Sequence, residues 1–166
     1  NIHLGVTGSD LVREKLANWN ARVTELAPMG FGGADLIVAV PQAWVDVSTL
    51  DDLDAAAAAF RRAHGFRLRI ATKYHRLVRE FLREKGVADY QLVDSQGATE
   101  GTVKNETAEA IADITSTGET LRANGLKILD DGLIHASQAT LFRGNRRDWT
   151  DEQRAKLKAL AMVLDV

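Results

Sequence analysis

The sequence predicts an α/β protein, and three observations lead to that fold class. Apolar runs of strand length alternate with amphipathic stretches of helix length along the 166 residues, which is typical of strands joined by helical crossovers. Glycine stands where two of these helices should end, at Gly65 and Gly86. Pro41 closes an apolar run that reads as a strand. A chain of this length can bury a substantial core, so we expect mixed sheets flanked by helices.

The predicted elements follow one another along the whole chain. Strands are expected at residues 2–6, 22–26, 35–40, 67–71, 90–93 and 110–114, and helices at residues 10–19, 50–64, 74–85 and 99–105. Because helical crossovers join parallel strands, the strands between residues 67 and 114 should pair in parallel. Asp130-Asp131-Gly132 is a hairpin signal that should divide residues 126–142 into two strands. A last helix should begin at Thr150, because Thr150 and Gln153 have the spacing of a capping box.

Composition excludes several functional classes. The formal charge is −2, with 21 basic and 23 acidic residues interspersed, so no cationic field favours nucleic acid as a partner. The sequence contains no cysteine, which excludes disulfides and Cys-ligated zinc and fits a cytoplasmic protein. No apolar run reaches the roughly 20 residues that span a membrane. Since Asn1 already lies in what reads as a strand, we expect that N-terminal sequence is missing.

A hydroxyl-rich turn follows the strand predicted at residues 110–114. Asp113 stands near the end of that strand, and Thr115 to Thr120 separate it from a short helix. Hydroxyl groups and unpaired backbone N–H groups at a helix start can bind phosphate oxygens, and Gly118 lets the backbone approach closely. Asp113 would repel phosphate, so we expect it to accept hydrogen bonds from ribose hydroxyls. The same residues also suit an ordinary helix cap, and neither a Walker loop nor a dinucleotide fingerprint is present.

Several segments match one family in order and spacing. The matching signature consists of Glu100, Ala108, Ile111, Asp113, Ile114, Thr117, Gly118, Glu119, Thr120 and Leu121. The further matching segments are Leu4–Leu11, Ile70–Tyr74, Gly97–Glu100 and Asn124–Gly132. Together they resemble the ATP phosphoribosyltransferase family, which carries out the first step of histidine biosynthesis, and the resemblance covers almost the whole chain.

The resemblance implies a fold and a division of the chain. The fold would be two-lobed and similar to type II periplasmic binding proteins, with substrates in the cleft between the lobes. Residues 1–33 and 122–166 would form lobe I, which would lack about 50 N-terminal residues needed to complete its sheet. Residues 34–121 would form lobe II and carry the turn for phosphoribosyl pyrophosphate.

The resemblance also implies the reaction and its residues. The phosphoribosyl group of phosphoribosyl pyrophosphate would be transferred to N1 of ATP, which gives phosphoribosyl-ATP and pyrophosphate. The 5-phosphate would lie on the turn, while Asp113 and Glu109 would hold the ribose hydroxyls. The full set implied to bind this substrate is Glu109, Asp113, Thr115, Ser116, Thr117, Gly118, Glu119 and Thr120. No catalytic general base is assigned.

Partners and cofactors follow from the same resemblance. The chain resembles the short form of the family, which works with a regulatory subunit similar to histidyl-tRNA synthetase in a homo- or hetero-oligomer. Magnesium would arrive with the pyrophosphate group, because Mg²⁺ prefers substrate oxygens and water to a protein cage. The four histidines show no metal-site spacing and read as structural or exposed. Lys73, which follows a strand end, and Glu100 are possible substrate contacts.

Three positions depart from the family. Proline and glycine are usual where this chain has Val103 and Glu106, and aspartate is usual where it has Glu109. A lost proline and a lost glycine change the local freedom of the backbone, and Glu106 adds a negative charge near an anion site. These departures leave a second class of function open, namely a non-catalytic two-lobed module that binds a phosphorylated small molecule.

Overall fold

The computed structural model describes residues 3–95, 98–145 and 148–164. The chain divides into two compact units. We call Asn1–Gly33 with Ser137–Val166 the terminal unit, and Ala34–Ala136 the central unit. The mixed α/β class expected from the sequence is confirmed.

The terminal unit contains a three-stranded antiparallel sheet. Its strand order is β1-β8-β2, so β8 lies in the middle. The elements are β1 (Leu4–Gly8), α1 (Ser9–Lys15), α2 (Trp19–Arg22), β2 (Val23–Pro28), β8 (Ala139–Gly144) and α7 (Asp151–Leu164). The buried Asp10 carboxylate accepts a 2.6 Å hydrogen bond from the Ser137 hydroxyl. This bond ties the start of α1 to the residue at which the chain re-enters the unit.

The central unit contains a five-stranded mixed sheet in the order β5-β4-β6-β3-β7. Strand β4 runs parallel to β5 and β6, whereas β3 is antiparallel to β6. The elements are β3 (Ala34–Pro41), α3 (Leu50–His64), β4 (Leu68–Thr72), α4 (His75–Glu84), β5 (Tyr90–Asp94), α5 (Gly101–Lys104), β6 (Ala110–Thr115), α6 (Glu119–Ala123) and β7 (Leu126–Ser137). The expected parallel pairing of the strands between residues 67 and 114 is confirmed.

The core of the central unit lies on both faces of this sheet. Leu36 and Val38 of β3 pack in one apolar cluster with Leu53 of α3. Ile37, between them, packs in a second cluster with Leu121 of α6. Successive strand residues point to opposite faces, so a strand covered on both sides reads as a continuous apolar run. β3 is therefore an interior strand that supports β6 from one side.

Helix boundaries predicted from capping residues are confirmed. Thr150 and Gln153 exchange side-chain to backbone hydrogen bonds of 3.0 and 3.2 Å at the start of α7. Gly65 ends α3 with a φ of 78°, a left-handed conformation that glycine adopts at little cost. The helix expected at residues 99–105 is present but shorter, as α5.

The hairpin expected at Asp130-Asp131-Gly132 is wrong. β7 continues without a turn through Ser137, and the break before β8 falls at Gln138. The Asp131 carboxylate accepts a 2.8 Å hydrogen bond from the backbone N–H of Leu50 at the start of α3. A Cβ atom on Gly132 would lie 3.0 Å from the Val38 carbonyl oxygen of β3. Asp131 thus caps the start of α3, and Gly132 allows β7 to approach β3 closely.

The first predicted helix is also shorter than expected. α1 ends at Lys15, and Asn18 takes a left-handed conformation with a φ of 53° before the short α2. Asparagine tolerates this conformation better than most residues do, so the chain turns here. The strand predicted from residue 2 is observed as β1. Ile2 of that strand and Gly97 of the segment Gly97–Glu100 lie outside the described residues.

The second boundary between the units also differs from the expected one. We expected the central lobe to end at residue 121, but the contacts assign Ala34–Ala136 to one unit. The reason is that β7 joins the central sheet beside β3. The Gln42 N–H at the end of β3 donates a 2.8 Å hydrogen bond to the Gly125 carbonyl just before β7.

In the three described ranges, no helix has the length and apolar character needed to cross a membrane.

Candidate functional site

The carboxyl ends of three parallel strands lie along one edge of the central sheet. Thr72 of β4 is paired in register with Asp94 of β5 and with Ala112 of β6. Lys73 and Asp113 each follow by one residue, so they lie at the same level on neighbouring strands. Ligands of open α/β sheets bind beyond this edge. The structure thus places Lys73 and Asp113 at the same level of neighbouring strand ends, at the edge where a site is expected.

Buried hydroxyl groups fix the loops at this edge. The Thr72 hydroxyl oxygen accepts a 2.9 Å hydrogen bond from the Tyr74 N–H, and the Thr72 carbonyl accepts one of 3.3 Å from the Ser95 N–H. The Thr99 hydroxyl donates to the Ser95 hydroxyl oxygen over 2.8 Å. Glu100 follows Thr99 and is half-buried just before α5. The segment that carries Glu100 is therefore anchored to the edge through Ser95.

The hydroxyl-rich turn joins β6 to α6 at the same edge. The Thr115 hydroxyl oxygen accepts a 2.9 Å hydrogen bond from the Gly118 N–H, and the Thr117 hydroxyl oxygen accepts one of 3.3 Å from the Glu119 N–H. The unpaired backbone N–H groups expected here are therefore not available at Gly118 and Glu119. Both threonine oxygens act as acceptors in these bonds, so their own hydrogens can turn toward a ligand. Ser116, Thr117 and Thr120 are exposed.

Two further residues shape the turn. Gly118 is buried and has a φ of 73°, which a residue with a Cβ atom adopts only with strain. The Asp113 carboxylate accepts a 2.8 Å hydrogen bond from the Ile114 N–H. Asp113 is half-exposed and stands two residues before Thr115.

Arg122 is a residue of this site that sequence reasoning missed. Its Nη2 donates a 3.2 Å hydrogen bond to the Thr117 carbonyl oxygen. Its Nη1 lies 3.1 Å from the position that a Cβ atom on Gly118 would occupy. The signal in the sequence was the spacing, because residues four apart in a helix lie on the same face.

Glu109 does not reach the turn. It immediately precedes β6 and lies four residues before Asp113, which is about 13 Å along an extended strand. Its carboxylate accepts a 2.7 Å hydrogen bond from the Arg69 N–H and a 3.2 Å hydrogen bond from Arg69 Nε. The Glu109 side chain is only 13% exposed, and the Arg69 side chain 28%. The side-chain hydrogen bond to Glu109 raises the pKa of the Arg69 guanidinium above its usual value.

The other departures from the family lie at this amino end of β6. Glu106 is exposed and has a φ of 57°, the left-handed conformation for which the family's glycine is suited. Its carbonyl accepts a 3.0 Å hydrogen bond from Arg69 Nη2. Val103 packs against the apolar cluster that contains Leu121. Neither Val103 nor Glu106 makes any of the hydrogen bonds that shape the turn at the other end of the strand.

The histidines that the structure describes have ordinary surroundings. His64 stacks on Phe60 with ring centroids 4.0 Å apart, and His75 Nε2 lies 2.6 Å from an Asp94 carboxylate oxygen. Across residues 3–95, 98–145 and 148–164, no three histidine, aspartate or glutamate side chains form a group that could hold a metal ion.

Comparison with known proteins decides the family. The model of the family described as HisG: ATP phosphoribosyltransferase matches residues 1–165. The chain belongs to the ATP phosphoribosyltransferase family. The turn described above lies inside the matched region, and so do the three departures at the amino end of β6.

Curated members of the family are similar in sequence. The chain is 79% identical over 150 residues to the ATP phosphoribosyltransferase of Cereibacter sphaeroides, which covers 90% of this chain and 64% of that protein. It is 52% identical over 159 residues to the ATP phosphoribosyltransferase of a Bradyrhizobium species, which covers 96% of this chain and 49% of that protein. The chain thus spans about half to two thirds of the length of these relatives.

Solved structures support the fold class. An ATP phosphoribosyl transferase (HisG:HisZ) complex from Thermotoga maritima superposes with a TM-score of 0.68 at 20% identity, covering 98% of this chain and 67% of that one. The arginine-bound form of truncated ArgBP from T. maritima has a TM-score of 0.53 at 13% identity and covers 99% of this chain and 67% of that one. At such identities the likeness concerns the fold, and it agrees with the expected similarity to periplasmic binding proteins.

Proposed function

We propose that this chain takes part in the transfer of the phosphoribosyl group from phosphoribosyl pyrophosphate to N1 of ATP, the first step of histidine biosynthesis. The observation that carries the proposal is the hydroxyl-rich turn of an ATP phosphoribosyltransferase family member, standing at the carboxyl edge of the central sheet. The substrates would be phosphoribosyl pyrophosphate and ATP, and the products phosphoribosyl-ATP and pyrophosphate.

In this proposal the turn holds the 5-phosphate. The side chains of Thr115, Ser116, Thr117 and Thr120 supply hydroxyl donors, and Gly118 keeps the backbone in the shape that presents them. The Thr115 and Thr117 oxygens already accept a backbone hydrogen bond, so their hydroxyl hydrogens can point toward the phosphate. Glu119, which the resemblance also implied, would hold the Thr117 hydroxyl in place through its backbone N–H and keep its exposed carboxylate away from the phosphate.

Asp113 would bind the ribose hydroxyls. A carboxylate accepts hydrogen bonds from two neighbouring hydroxyl groups, and its negative charge favours the positive charge that develops on the sugar as the bond from C1 to pyrophosphate breaks. The pyrophosphate leaves with the electron pair of that bond, and N1 of ATP forms the new bond to C1. Much of the catalysis would therefore come from positioning and charge stabilisation. Lys73, level with Asp113, would lie on the side of the sugar that faces β4.

Magnesium belongs to the proposal as a companion of the substrate. The described residues offer no group of three acidic or histidine side chains for a metal, so the ion would bind the pyrophosphate oxygens and water. Bound there, it would neutralise part of the charge on the leaving group. The residues of this chain would do the rest, by holding the phosphate and the ribose.

A regulatory partner is part of the proposal as well. The Thermotoga maritima relative was solved as a HisG:HisZ complex, which supports an assembly of this chain with a subunit similar to histidyl-tRNA synthetase. A cytoplasmic location would follow from this role in biosynthesis. The short form of the family remains our proposal for the organisation of the whole protein.

The alternative was a non-catalytic binding module, and it depended on Val103 and Glu106. Glu106 lies just before the amino end of β6, and Val103 lies on α5 and packs against the apolar cluster of Leu121. Neither residue makes a hydrogen bond that shapes the turn. No observation at the turn favours the alternative.

The test is an assay for phosphoribosyl-ATP. The chain is mixed with Mg²⁺, ATP and phosphoribosyl pyrophosphate, with and without the synthetase-like subunit, and the products are separated by chromatography. We expect phosphoribosyl-ATP in at least one mixture, and a strong loss of product with Asp113→Asn, because the amide lacks the charge that favours the developing cation. Binding of phosphoribosyl pyrophosphate without any product would support the binding module, and no binding would defeat both functions.

A further inference from the structure

The hydrogen-bond donors of the turn leave an incomplete phosphate site. The backbone N–H groups of Gly118 and Glu119 are already taken by the hydroxyl oxygens of Thr115 and Thr117. The threonine and serine hydroxyls are neutral donors, so they supply no positive charge to balance that of a phosphate dianion. A side-chain cation beside the turn would add the positive charge that the turn itself lacks.

The acidic residues around the turn increase the need for such a cation. Asp113 and Glu119 each bring a negative charge within the segment 113–122, and Arg122 is the one basic residue of this segment. Lys73 lies level with Asp113 across the β4–β6 pair, at the strand end and before the turn begins. Its position matches the sugar end of the ligand better than the phosphate end.

Arg122 is built into the turn. Its backbone N–H donates a 3.1 Å hydrogen bond to the Gly118 carbonyl, and its Nη2 donates to the Thr117 carbonyl over 3.2 Å. Its Nη1 lies beside Gly118, 3.1 Å from the place of the missing Cβ atom. A Cβ atom at position 118 would force the guanidinium to shift by a few tenths of an ångström, so glycine serves both the backbone conformation and the close approach of the charge.

The guanidinium is also accessible to a ligand. Arg122 is exposed, as are Ser116 and Thr117 beside it. A guanidinium carries five N–H donors in a planar fork that matches two phosphate oxygens. The Thr117 carbonyl takes one of them and holds the plane against the turn, which leaves further donors for an anion.

We propose that Arg122 is a phosphate-binding residue that contacts the 5-phosphate of the phosphoribosyl substrate directly, while its bond to the Thr117 carbonyl fixes its orientation. The inference rests on the proposed function, since it assigns a further residue to the same site. The ligand chemistry is a sugar phosphate dianion.

The experiment measures binding of ribose 5-phosphate and of ribose by isothermal titration. The chain is compared with Arg122→Gln, with Arg122→Lys, and with Arg62→Gln, which removes the same charge from an exposed position on α3. We expect Arg122→Gln to weaken ribose 5-phosphate binding at least about tenfold, the range of one charged hydrogen bond. Arg122→Lys should recover part of the loss, and Arg62→Gln should stay within about twofold.

The pH dependence separates a charge contact from a structural role. The phosphate group gains its second negative charge near pH 6, so affinity should rise between about pH 5 and pH 7.5 and should rise less in Arg122→Gln. Folding of each variant is checked by thermal unfolding at the same pH values. A structural role would weaken ribose and ribose 5-phosphate equally and leave the pH profile unchanged, and that result would overturn the inference.

Two other outcomes are decisive. If Arg122→Gln binds ribose 5-phosphate within twofold of the unmodified chain, Arg122 is not part of the site. If the unmodified chain does not bind ribose 5-phosphate, both the inference and the assignment of the turn as a phosphate site are overturned. If binding depends on Arg122 but no phosphoribosyl-ATP forms, the inference stands and the proposed reaction fails.

Discussion

The two ends of β6 use the same residue types in opposite ways. At the amino end, the Glu109 carboxylate is bound to Arg69 through backbone and side-chain hydrogen bonds and is largely buried. At the carboxyl end, the Asp113 carboxylate accepts a bond from its neighbour's N–H and stays half-exposed. A partly buried charge depends on its partner, because removal of the partner leaves the charge unpaired, whereas a charge at an open edge can serve a ligand.

Each end also contains a residue in the left-handed conformation. Gly118 fills that position at the carboxyl end with a φ of 73°, and Glu106 fills it at the amino end with a φ of 57°. The chain has thus kept glycine where the phosphate would lie and has lost the family's glycine at the other end. This pattern is expected if the functional demand lies at the carboxyl end alone.

The largest effect should come from removing hydroxyls at the carboxyl end. Thr117→Ala combined with Thr120→Ala removes two proposed phosphate donors, and we expect affinity for phosphoribosyl pyrophosphate to fall at least about tenfold, from roughly 1 kcal/mol for each hydrogen bond. Thr107→Ala is the matched control, because its hydroxyl bonds the Thr102 carbonyl at the amino end. Titration that finds the double variant within twofold would show that the turn is not the phosphate cradle.

The second effect concerns stability at the amino end. Glu109→Gln keeps the size of the side chain but removes the charge that Arg69 binds, and we expect a loss of about 2 kcal/mol in the free energy of unfolding. Affinity for ribose 5-phosphate should stay within about twofold, because the carboxylate lies far from the turn. Urea unfolding measures the loss, and the exposed Glu80→Gln serves as control. A large loss of affinity without a loss of stability would return Glu109 to the ligand site.

A smaller effect is expected from Gly118→Ala. The added methyl group strains the left-handed backbone and meets Arg122 Nη1 at 3.1 Å, and we expect a loss of about 1–2 kcal/mol in the free energy of unfolding. Ribose 5-phosphate should also bind more weakly, since the guanidinium is displaced. Gly101→Ala at the start of α5 has open space around it and no positive φ, so unfolding should be unchanged or slightly harder. Equal stability of the two variants would argue against strain at Gly118.

The smallest effect has the opposite sign. Glu106→Gly should stabilise the chain by about 0.5–1 kcal/mol, because relief of the left-handed strain exceeds the entropy that glycine adds to the unfolded state. The neighbouring Asn105 has a φ of −89°, so Asn105→Gly should destabilise the chain instead. Thermal unfolding of the pair measures the difference, and a destabilising Glu106→Gly would mean that the Glu106 side chain contributes contacts of its own.

Local signals in the sequence predicted much of the fold. Capping pairs such as Thr150 and Gln153 act between near neighbours, so their outcome does not depend on the rest of the chain. The Asp-Gly pair at residues 131 and 132 misled, because its partners Leu50 and Val38 are distant in sequence. The central unit ends at Ala136 and not at residue 121 for the same reason, since β7 joins a sheet whose other strands come earlier in the chain.

The sequence by itself determined the α/β class, the parallel core strands and the position of the hydroxyl-rich turn, because these follow from periodicity, from glycine and from residues close together along the chain. The tertiary structure alone decided which acidic residue stays open and which is paired. Arg69 and Glu109 meet because β4 and β6 are neighbours in the sheet, 40 residues apart in sequence. Pairing across a sheet is set by the packing of whole elements, and no local pattern contains it.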